Sequence, residues 1–216
     1  MAAYKPAPFQ LALRSLRAQV RDGVFAPGAR IIATEVAAAL GLSPTPVREA
    51  LALLVGEGLV EERRGLGFFI RQLTASDIAD LYRLSLAHLL IAQDDNRPRL
   101  SRRVTEETLE PTGAPLDPVV EVERLFSRWI AAGSGRVLAG AHRIVQVQLG
   151  PVRRIEFMVI GNLVEEARAL EITSDGPGTS ERLGRLRHFH GRRIKLADQF
   201  ATLLVGRGGE GKISEI

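Results

Sequence analysis

The stretch TEVAAALGLSPTPVREAL (residues 34–51) holds the most informative pattern in the chain. Its alanine-rich first part predicts a short helix over 34–40, and the glycine-containing segment 41–43 predicts a tight turn. A second helix is predicted over 44–57, with Ser43 as its N-cap. Two short helices joined by a three-residue turn that contains glycine indicate a helix-turn-helix.

The flanking segments extend this motif to a winged helix-turn-helix domain over residues 1–73. The spacing of apolar residues predicts an amphipathic helix over 9–22, and residues 30–32 are predicted to form a short strand. After the second helix of the motif, two short strands flank a glycine-rich tip at 63–67, which predicts a hairpin. In this arrangement the first helix of the motif braces the second, so that the second can enter a major groove.

Polar residues cluster at the start of the second helix and at the hairpin tip. An arginine can form paired hydrogen bonds with a guanine edge or a phosphate, and a glycine-rich tip can follow the DNA backbone. Val47, Leu51 and Leu54 are predicted to be core residues instead. From the pattern alone, a helix-turn-helix without a nucleic-acid function stays open, with Arg48 and Glu49 as a solvated pair. The predicted DNA-contacting residues are Ser43, Thr45, Arg48, Arg63, Arg64, Gly65 and Gly67.

Composition and charge fit a soluble protein with a polyanionic partner. The chain is 45% hydrophobic and 25% charged, and it has no cysteine, which excludes disulfides and thiolate metal sites. Residues 1–73 hold nine Lys or Arg and six Asp or Glu, an excess that suits DNA. The apolar runs are too short to cross a membrane, and the N-terminus lacks the layout of a signal peptide. The predicted location is the cytoplasm, with no membrane partner.

The remaining residues, 74–216, predict an all-α helical bundle behind the winged domain, so the fold class is mainly α. Thr74-x-x-Asp77 resembles a capping arrangement at the start of a long helix. A polar segment with three prolines, 94–116, is predicted to be a loop or an insert, and 206–216 a frayed tail. Helices are predicted at 75–93, 117–132, 135–160 with a break near Gly150-Pro151, 162–172 and 180–205.

Catalytic motifs are missing from the sequence. It contains no cysteine nucleophile, no H-E-x-x-H pattern, no P-loop and no Rossmann glycine pattern. The Gly-Ser-Gly at 133–135 lacks the strand-to-helix context of a nucleophile elbow. The chain is therefore predicted not to be an enzyme.

The run from Ile32 to Ile70 strongly resembles the GntR family of bacterial transcriptional regulators. The resemblance implies that the chain regulates transcription by binding double-stranded operator DNA as a two-fold homodimer, with contacts at Thr45, Arg48 and the wing. One position departs from the family, which usually has Arg where this chain has Pro44. We therefore expect an operator that differs from the common family half-site, or weaker binding. The residues that carry the resemblance are Glu35, Ala38, LGLSPTPVREAL (40–51), Leu54, EGLV (57–60), Gly65 and Gly67.

The second half is similar to the sensing domain of the FadR-type subgroup, through the long helix at 75–93 and the pattern from Phe126 to Gly135. The resemblance implies a small effector, often a carboxylate, and in many members a metal held by one Asp and three His. A divalent transition metal needs about four donors, so the site looks degenerate, and no cofactor is predicted. The subgroup's arginine on the first sensing helix is Ser85 here. The matching metal positions are Glu123, Ser127, Ala167 beside Glu166, and His188 or, with a two-residue shift, His190.

Helical periodicity predicts which polar residues face the interior of the bundle. Ser85 and His88 share the apolar stripe of the first sensing helix, and His190 lies on that of the last one. Together with Glu123 they form a candidate effector pocket. The alternative is that each is a satisfied core or interface residue. Two functions thus stay open: a ligand-responsive repressor, and a DNA-binding regulator whose second domain only dimerises.

Overall fold

The structure, a computed structural model, describes residues 7–93, 117–172 and 180–210. None of the helices in these residues is both long and apolar enough to cross a membrane. The predicted insert at 94–116 and the last residues of the predicted tail, 211–216, lie outside the described residues. The elements in order are α1 (Pro8–Arg21), β1 (Arg30–Ile31), α2 (Ala33–Leu40), α3 (Pro44–Gly56), β2 (Val60–Arg63), β3 (Gly67–Ile70), α4 (Ala75–Ala92), α5 (Pro118–Gly133), α6 (Arg136–Arg153), α7 (Leu163–Ile172), α8 (Ser180–Lys195) and α9 (Ala197–Glu210).

The first six elements form a winged helix-turn-helix, as predicted. Its antiparallel sheet has the strand order β1-β3-β2, with Arg30 opposite Phe69 and Arg63 opposite Gly67. Helix α1 lies across α3 and closes the core. The predicted core residues Val47, Leu51 and Leu54 are fully buried there, together with Leu13, Leu16 and Val20 of α1.

Helix α3 begins after Ser43, but the side chain of Ser43 does not cap it. An N-cap side chain normally accepts a hydrogen bond from the second or third residue of the helix. The third residue here is Pro46, which has no N–H, so one of the two usual donors is missing. The first helix of the motif also differs slightly from expectation, because α2 begins at Ala33 with Ile32 at its N-cap, ahead of Thr34.

The helical domain is built around α4, which contacts α5, α6, α8 and α9. The predicted capping arrangement at its start is confirmed. Thr74 Oγ1 accepts from the Asp77 backbone N–H at 3.1 Å, and Asp77 Oδ2 accepts from the Thr74 backbone N–H at 2.9 Å. Two hydrophobic clusters follow along α4, one around Tyr82 and Phe200 and the other around Leu89 and Phe126.

The predicted break near Gly150-Pro151 is confirmed, but α6 passes Pro151 and ends at Arg153. A proline inside a helix removes one backbone hydrogen bond and crowds the carbonyl four residues earlier. Here the helix ends two residues after Pro151, so little of the hydrogen-bond ladder is lost. A short 3₁₀ turn, Glu156–Met158, follows the helix.

The predicted single helix over 180–205 is wrong, since α8 and α9 are separate helices that meet at Leu196. The apolar stripe continues across this break, with Ala197 and Phe200 buried in the same cluster, and periodicity therefore could not reveal it. Helix α9 continues to Glu210, beyond Gly206, where the frayed tail was expected to begin.

The two halves of the chain meet where α6 crosses α1. A Cβ atom at Gly150 would lie 2.2 Å from the Arg21 carbonyl oxygen and 2.6 Å from the Arg21 Cα. Only glycine permits this approach. Val147, one turn earlier on α6, is buried in the core of the winged domain. The winged domain is therefore closed partly by a helix of the second domain.

Candidate DNA interface and the polar interior of the helical domain

The start of α3 presents the predicted contact residues to solvent. Ser43, Thr45 and Arg48 are all exposed. Among the described residues, none forms an ion pair or a side-chain hydrogen bond with Arg48. Pro44 and Pro46 remove two of the backbone N–H groups that the start of a helix leaves free for a phosphate. The side chains of Ser43, Thr45 and Arg48 must therefore supply most of the contacts at this end.

The wing carries the other predicted contacts on a turn shaped by glycines. Gly65 and Gly67 have φ values of 74° and 95°, which other residues rarely adopt. The Arg63 guanidinium lies 4.2 Å from the centre of the Phe69 ring and 3.5 Å from Glu61 Oε2, so the ring and this exposed ion pair orient it together. Arg64, at the tip, is exposed and makes no ion pair within the described part of the chain. One oriented cation and one free cation thus stand at the wing.

The structure adds Arg30 to this surface, a residue that the sequence analysis did not select. Arg30 is exposed on β1. Its Nε and Nη2 atoms lie 3.7 and 3.8 Å from the position that a Cβ of Gly67 would occupy. The pairing of β1 with β3 brings Arg30 to the wing across 37 positions of sequence, and no local signal in the sequence reports that pairing. A third arginine therefore joins the basic surface of Arg63 and Arg64.

In the helical domain, two of the four predicted pocket residues are brought together. Ser85 and His190 are fully buried, and Ser85 Oγ lies 3.1 Å from His190 Nε2. His190 Nδ1 donates to the Leu186 carbonyl at 2.8 Å, so Nε2 is the atom that accepts from Ser85. Burial lowers the pKa of His190 to about 3, and the ring is neutral at physiological pH. Both side chains are satisfied by each other and by the backbone.

The other two predicted residues, His88 and Glu123, lie at the two ends of a series of contacts through His142, Gln146 and Arg153. His88 faces His142, with 5.8 Å between the ring centres. His142, to which the sequence analysis gave no role, is buried and accepts at Nε2 from Gln146, whose Oε1 accepts in turn from Arg153. Burial, with a smaller contribution from the Arg153 charge, lowers the pKa of His142 to about 3.

Glu123 pairs with two arginines. Its carboxylate oxygens lie 3.7 Å from Arg153 Nη1 and 3.6 Å from Arg154 Nη2. The assignment of these four residues to one effector pocket stays a prediction. His188, placed off the apolar stripe, is exposed as expected.

A buried ion-pair network that no sequence pattern predicted lies in the interior. Arg193 is 1% exposed, and its Nε and Nη2 donate to the two oxygens of Glu156 at 2.8 and 2.7 Å. Tyr82 Oη donates to Glu156 at 2.6 Å, and Glu166 lies 2.8 Å from Arg193 Nη2. Burial lowers the pKa of Arg193, but Glu156, together with Tyr82 and Glu166, outweighs this effect and raises the pKa above its ordinary value. The network joins α4, the 3₁₀ turn, α7 and α8.

The donor set does not fit the metal that the subgroup resemblance implies. Glu123 and Glu166 are engaged by guanidinium groups, whose charge repels a divalent cation. Ser127 Oγ donates to the Glu123 backbone carbonyl, and His190 is held by Ser85. Within the described ranges, no three His, Asp or Glu side chains are grouped so that they could hold a metal ion. A void of about 10 Å³ beside Arg153 and Arg193 has room for roughly one water.

In comparisons with known proteins, the winged half of the chain matches a family model. Residues 11–70 match the model of a family described as bacterial regulatory proteins, gntR family. YdhC of Bacillus subtilis (strain 168), an uncharacterized HTH-type transcriptional regulator, is 34% identical over 114 residues, which is 50% of each chain. A probable D-xylose utilization operon transcriptional repressor of Paenarthrobacter nicotinovorans is 40% identical over 62 residues, 29% of this chain and 27% of the repressor.

The curated relatives match only part of the chain in sequence, whereas one solved structure superposes on both halves. The chain matches about half the length of YdhC, and less of the D-xylose repressor. The solved structure titled E. coli McbR/YncC superposes on 90% of this chain and 99% of its own, with a TM-score of 0.65 and 20% identity. That likeness shows a shared fold in both halves. Residues 11–70 therefore form a helix-turn-helix module of the gntR-family type, and the named relatives are transcriptional regulators.

Proposed function

We propose that the chain is a DNA-binding transcriptional regulator that recognises a double-stranded operator as a homodimer in the cytoplasm. Helix α3 enters the major groove, with Ser43, Thr45 and Arg48 directed at base edges and phosphates. The wing, with Arg63, Arg64, Gly65 and Gly67, follows the adjacent backbone or minor groove. Binding over a promoter represses transcription, since occlusion needs no further contact. We assign the helical half to the FadR-type subgroup.

The observation that carries this proposal is the state of Arg48. Buried apolar residues on the opposite face hold α3 firmly, yet Arg48 extends from its exposed face without a protein partner in the described residues. A structural arginine usually finds a carboxylate, as Arg17 does in its bond from Nε to Glu57 Oε2 at 3.0 Å. A free arginine on a rigid helix, beside a wing with further cations, suits a polyanionic groove.

A competition experiment with the DNA upstream of the chain's own gene tests the proposal. We expect the purified protein to prefer that duplex over random duplex of equal length and to lose affinity steeply with salt, because phosphate contacts release counterions. The oligomeric state of the same sample, measured by light scattering, tests the homodimer. Equal affinity for both duplexes would rule out sequence-specific regulation.

A second candidate is a regulator of the same kind whose helical domain binds no effector. The buried ion-pair network favours this candidate. Arg193 and Glu156 fill the interior, Ser85 and His190 satisfy each other, and the adjacent void is the size of about one water. An effector that contacted Ser85, His190 or the Arg193–Glu156 pair would have to displace these buried bonds. On this version the second domain dimerises and positions the winged domains, and operator binding is constitutive.

Thermal shift measurements separate the ligand-responsive and constitutive versions. A compound that binds the folded state at 100 times its Kd stabilises it by about 2.7 kcal/mol. The constitutive version predicts no shift in the melting temperature across a panel of small organic acids and divalent metals. A reproducible shift that also changes operator affinity would support the ligand-responsive version instead.

A further inference from the structure

Helix α6 belongs to both domains at once. Val145, Leu149 and Val152 lie in the hydrophobic core of the helical domain. Val147, on another face of the same helix, is buried in the core of the winged domain. The close crossing at Gly150 leaves no space between α6 and α1. Movement of α6 relative to its bundle must therefore be accommodated by the winged domain as well.

Gln148 extends this contact to the recognition helix itself. Its Nε2 donates to the Glu57 carbonyl at 3.1 Å and lies 3.5 Å from the Gly58 carbonyl. Glu57 is the C-cap residue of α3. The last carbonyl groups of a helix lack partners within the helix. The Glu57 side chain is held separately by Arg17 of α1. One end of α3 is thus fixed from within the winged domain by Arg17 and from the helical domain by Gln148.

Arg154, directly after α6, makes a second connection between the domains. Its Nη2 lies 3.1 Å from Asp22 Oδ1, at the end of α1, and 3.6 Å from Glu123 Oε2 on α5. One guanidinium is therefore shared between a carboxylate of each domain. The side chain of Arg154 is 21% exposed, so the pair is only partly screened by solvent.

We propose that α6 is the element that sets the angle of the recognition helix relative to the helical domain, with Gln148 and Arg154 as positioning residues. The inference rests on the proposed function, because in a dimer this angle fixes the distance between the two recognition helices. Operators of such dimers carry half-sites at one preferred spacing. Loss of either contact leaves each winged domain able to bind but free to adopt several angles, and spacing selectivity falls.

The test compares affinities for three kinds of duplex at one salt concentration. One carries a single half-site, one carries two half-sites at the optimal spacing, and one carries them two base pairs further apart. Gln148→Glu keeps the size of the side chain but removes its donor, and Arg154→Gln removes the shared charge. We expect each change to reduce the ratio between optimal and displaced spacing about fivefold, the equivalent of one hydrogen bond of roughly 1 kcal/mol. Single half-site affinity should stay within about twofold.

Matched controls and a rescue variant make the outcome specific. Arg143→Gln on the exposed face of α6 and Gln199→Ala on the exposed face of α9 should leave the ratio unchanged. Arg154→Lys keeps the attraction to both carboxylates and should retain most of the selectivity. An unchanged ratio in Gln148→Glu and Arg154→Gln, or an equal loss on single and paired half-sites, would overturn the inference. A wild-type protein with no DNA preference at all would instead refute the proposed function.

Discussion

Replacing Arg193 with methionine removes the cation at the centre of the buried network. Met has similar length and fits an apolar interior, so the change tests the charge with little loss of volume. It leaves the Glu156 carboxylate, 2% exposed, with only the Tyr82 hydroxyl as a donor among the contacts described. It also removes the partner 2.8 Å from Glu166. Glu156 is then buried without a balancing cation, whereas Glu166 retains Arg192 at 3.7 Å.

The expected cost follows from this arrangement. Breaking a buried ion pair by removing one partner destabilises a protein by about 3–5 kcal/mol, because the remaining charge stays desolvated. For a chain of this size each kcal/mol lowers the melting temperature by roughly 2–4 °C. We therefore expect Arg193→Met to lower the melting temperature by about 6–20 °C. Glu156→Gln in the same chain removes the stranded charge and should restore part of the loss.

Urea unfolding of the wild type, both single variants and the double variant measures the interaction directly. We expect a coupling free energy above about 1 kcal/mol between Arg193 and Glu156 in this double-mutant cycle. Arg143→Met, on the exposed face of α6, serves as the control and should change stability by no more than about 0.5 kcal/mol. A loss below about 1 kcal/mol in Arg193→Met, with additive effects in the double variant, would refute the stabilising role of the network.

Three further predictions concern the domain junction, the buried histidines and the wing. Gly150→Ala should lower the free energy of unfolding in urea by about 1–3 kcal/mol, because its Cβ would collide with the α1 backbone. Gly140→Ala in the same helix, with open space around it, is the control and should not destabilise the protein. His142 and His190 have folded-state pKa values of about 3, so the free energy of unfolding should fall as the pH drops below about 6.5, by up to roughly 1.4 kcal/mol per pH unit for each ring. A free energy of unfolding that stays constant from pH 7 to pH 5 would contradict this. Arg64→Ala should weaken the affinity for operator and for random duplex alike, and should reduce the salt dependence of binding by about one phosphate contact. A loss of affinity confined to the operator would instead assign Arg64 to base readout.

The winged half was predictable because its signals are local. The turn glycine, the apolar spacing of α3 and the glycines of the wing each act within a few residues, and the family resemblance rests on the same run. Arg30 was not predictable, because only the pairing of β1 with β3 brings it to the wing. The missing cap at Ser43 could have been foreseen, since Pro46 removes one of the two donors that a capping side chain uses.

The interior of the second half was harder to predict because it is polar. Hydrophobic periodicity treats arginine as a solvent-facing residue, yet Arg193 lies on the buried face of α8 with Leu186 and His190. The position of Arg193 on this face of the helix was the sequence signal that could have indicated its burial. Its partners, Glu156 and Glu166, come from other elements, and the sequence carries no pattern that pairs them. Of the predicted pocket residues, Ser85 and His190 are buried, whereas His88 and Glu123 are partly buried.

The most direct test of the account is the affinity of Arg48→Ala for an operator selected from random duplexes, compared with a random duplex at the same salt concentration. An arginine that contacts a base edge contributes about 1–3 kcal/mol to discrimination. We predict a loss of that size, roughly 5-fold to 150-fold, on the operator and a much smaller loss on the random duplex. A loss well under 1 kcal/mol on the operator, or equal losses on both duplexes, would contradict the role of Arg48 in contacting base edges.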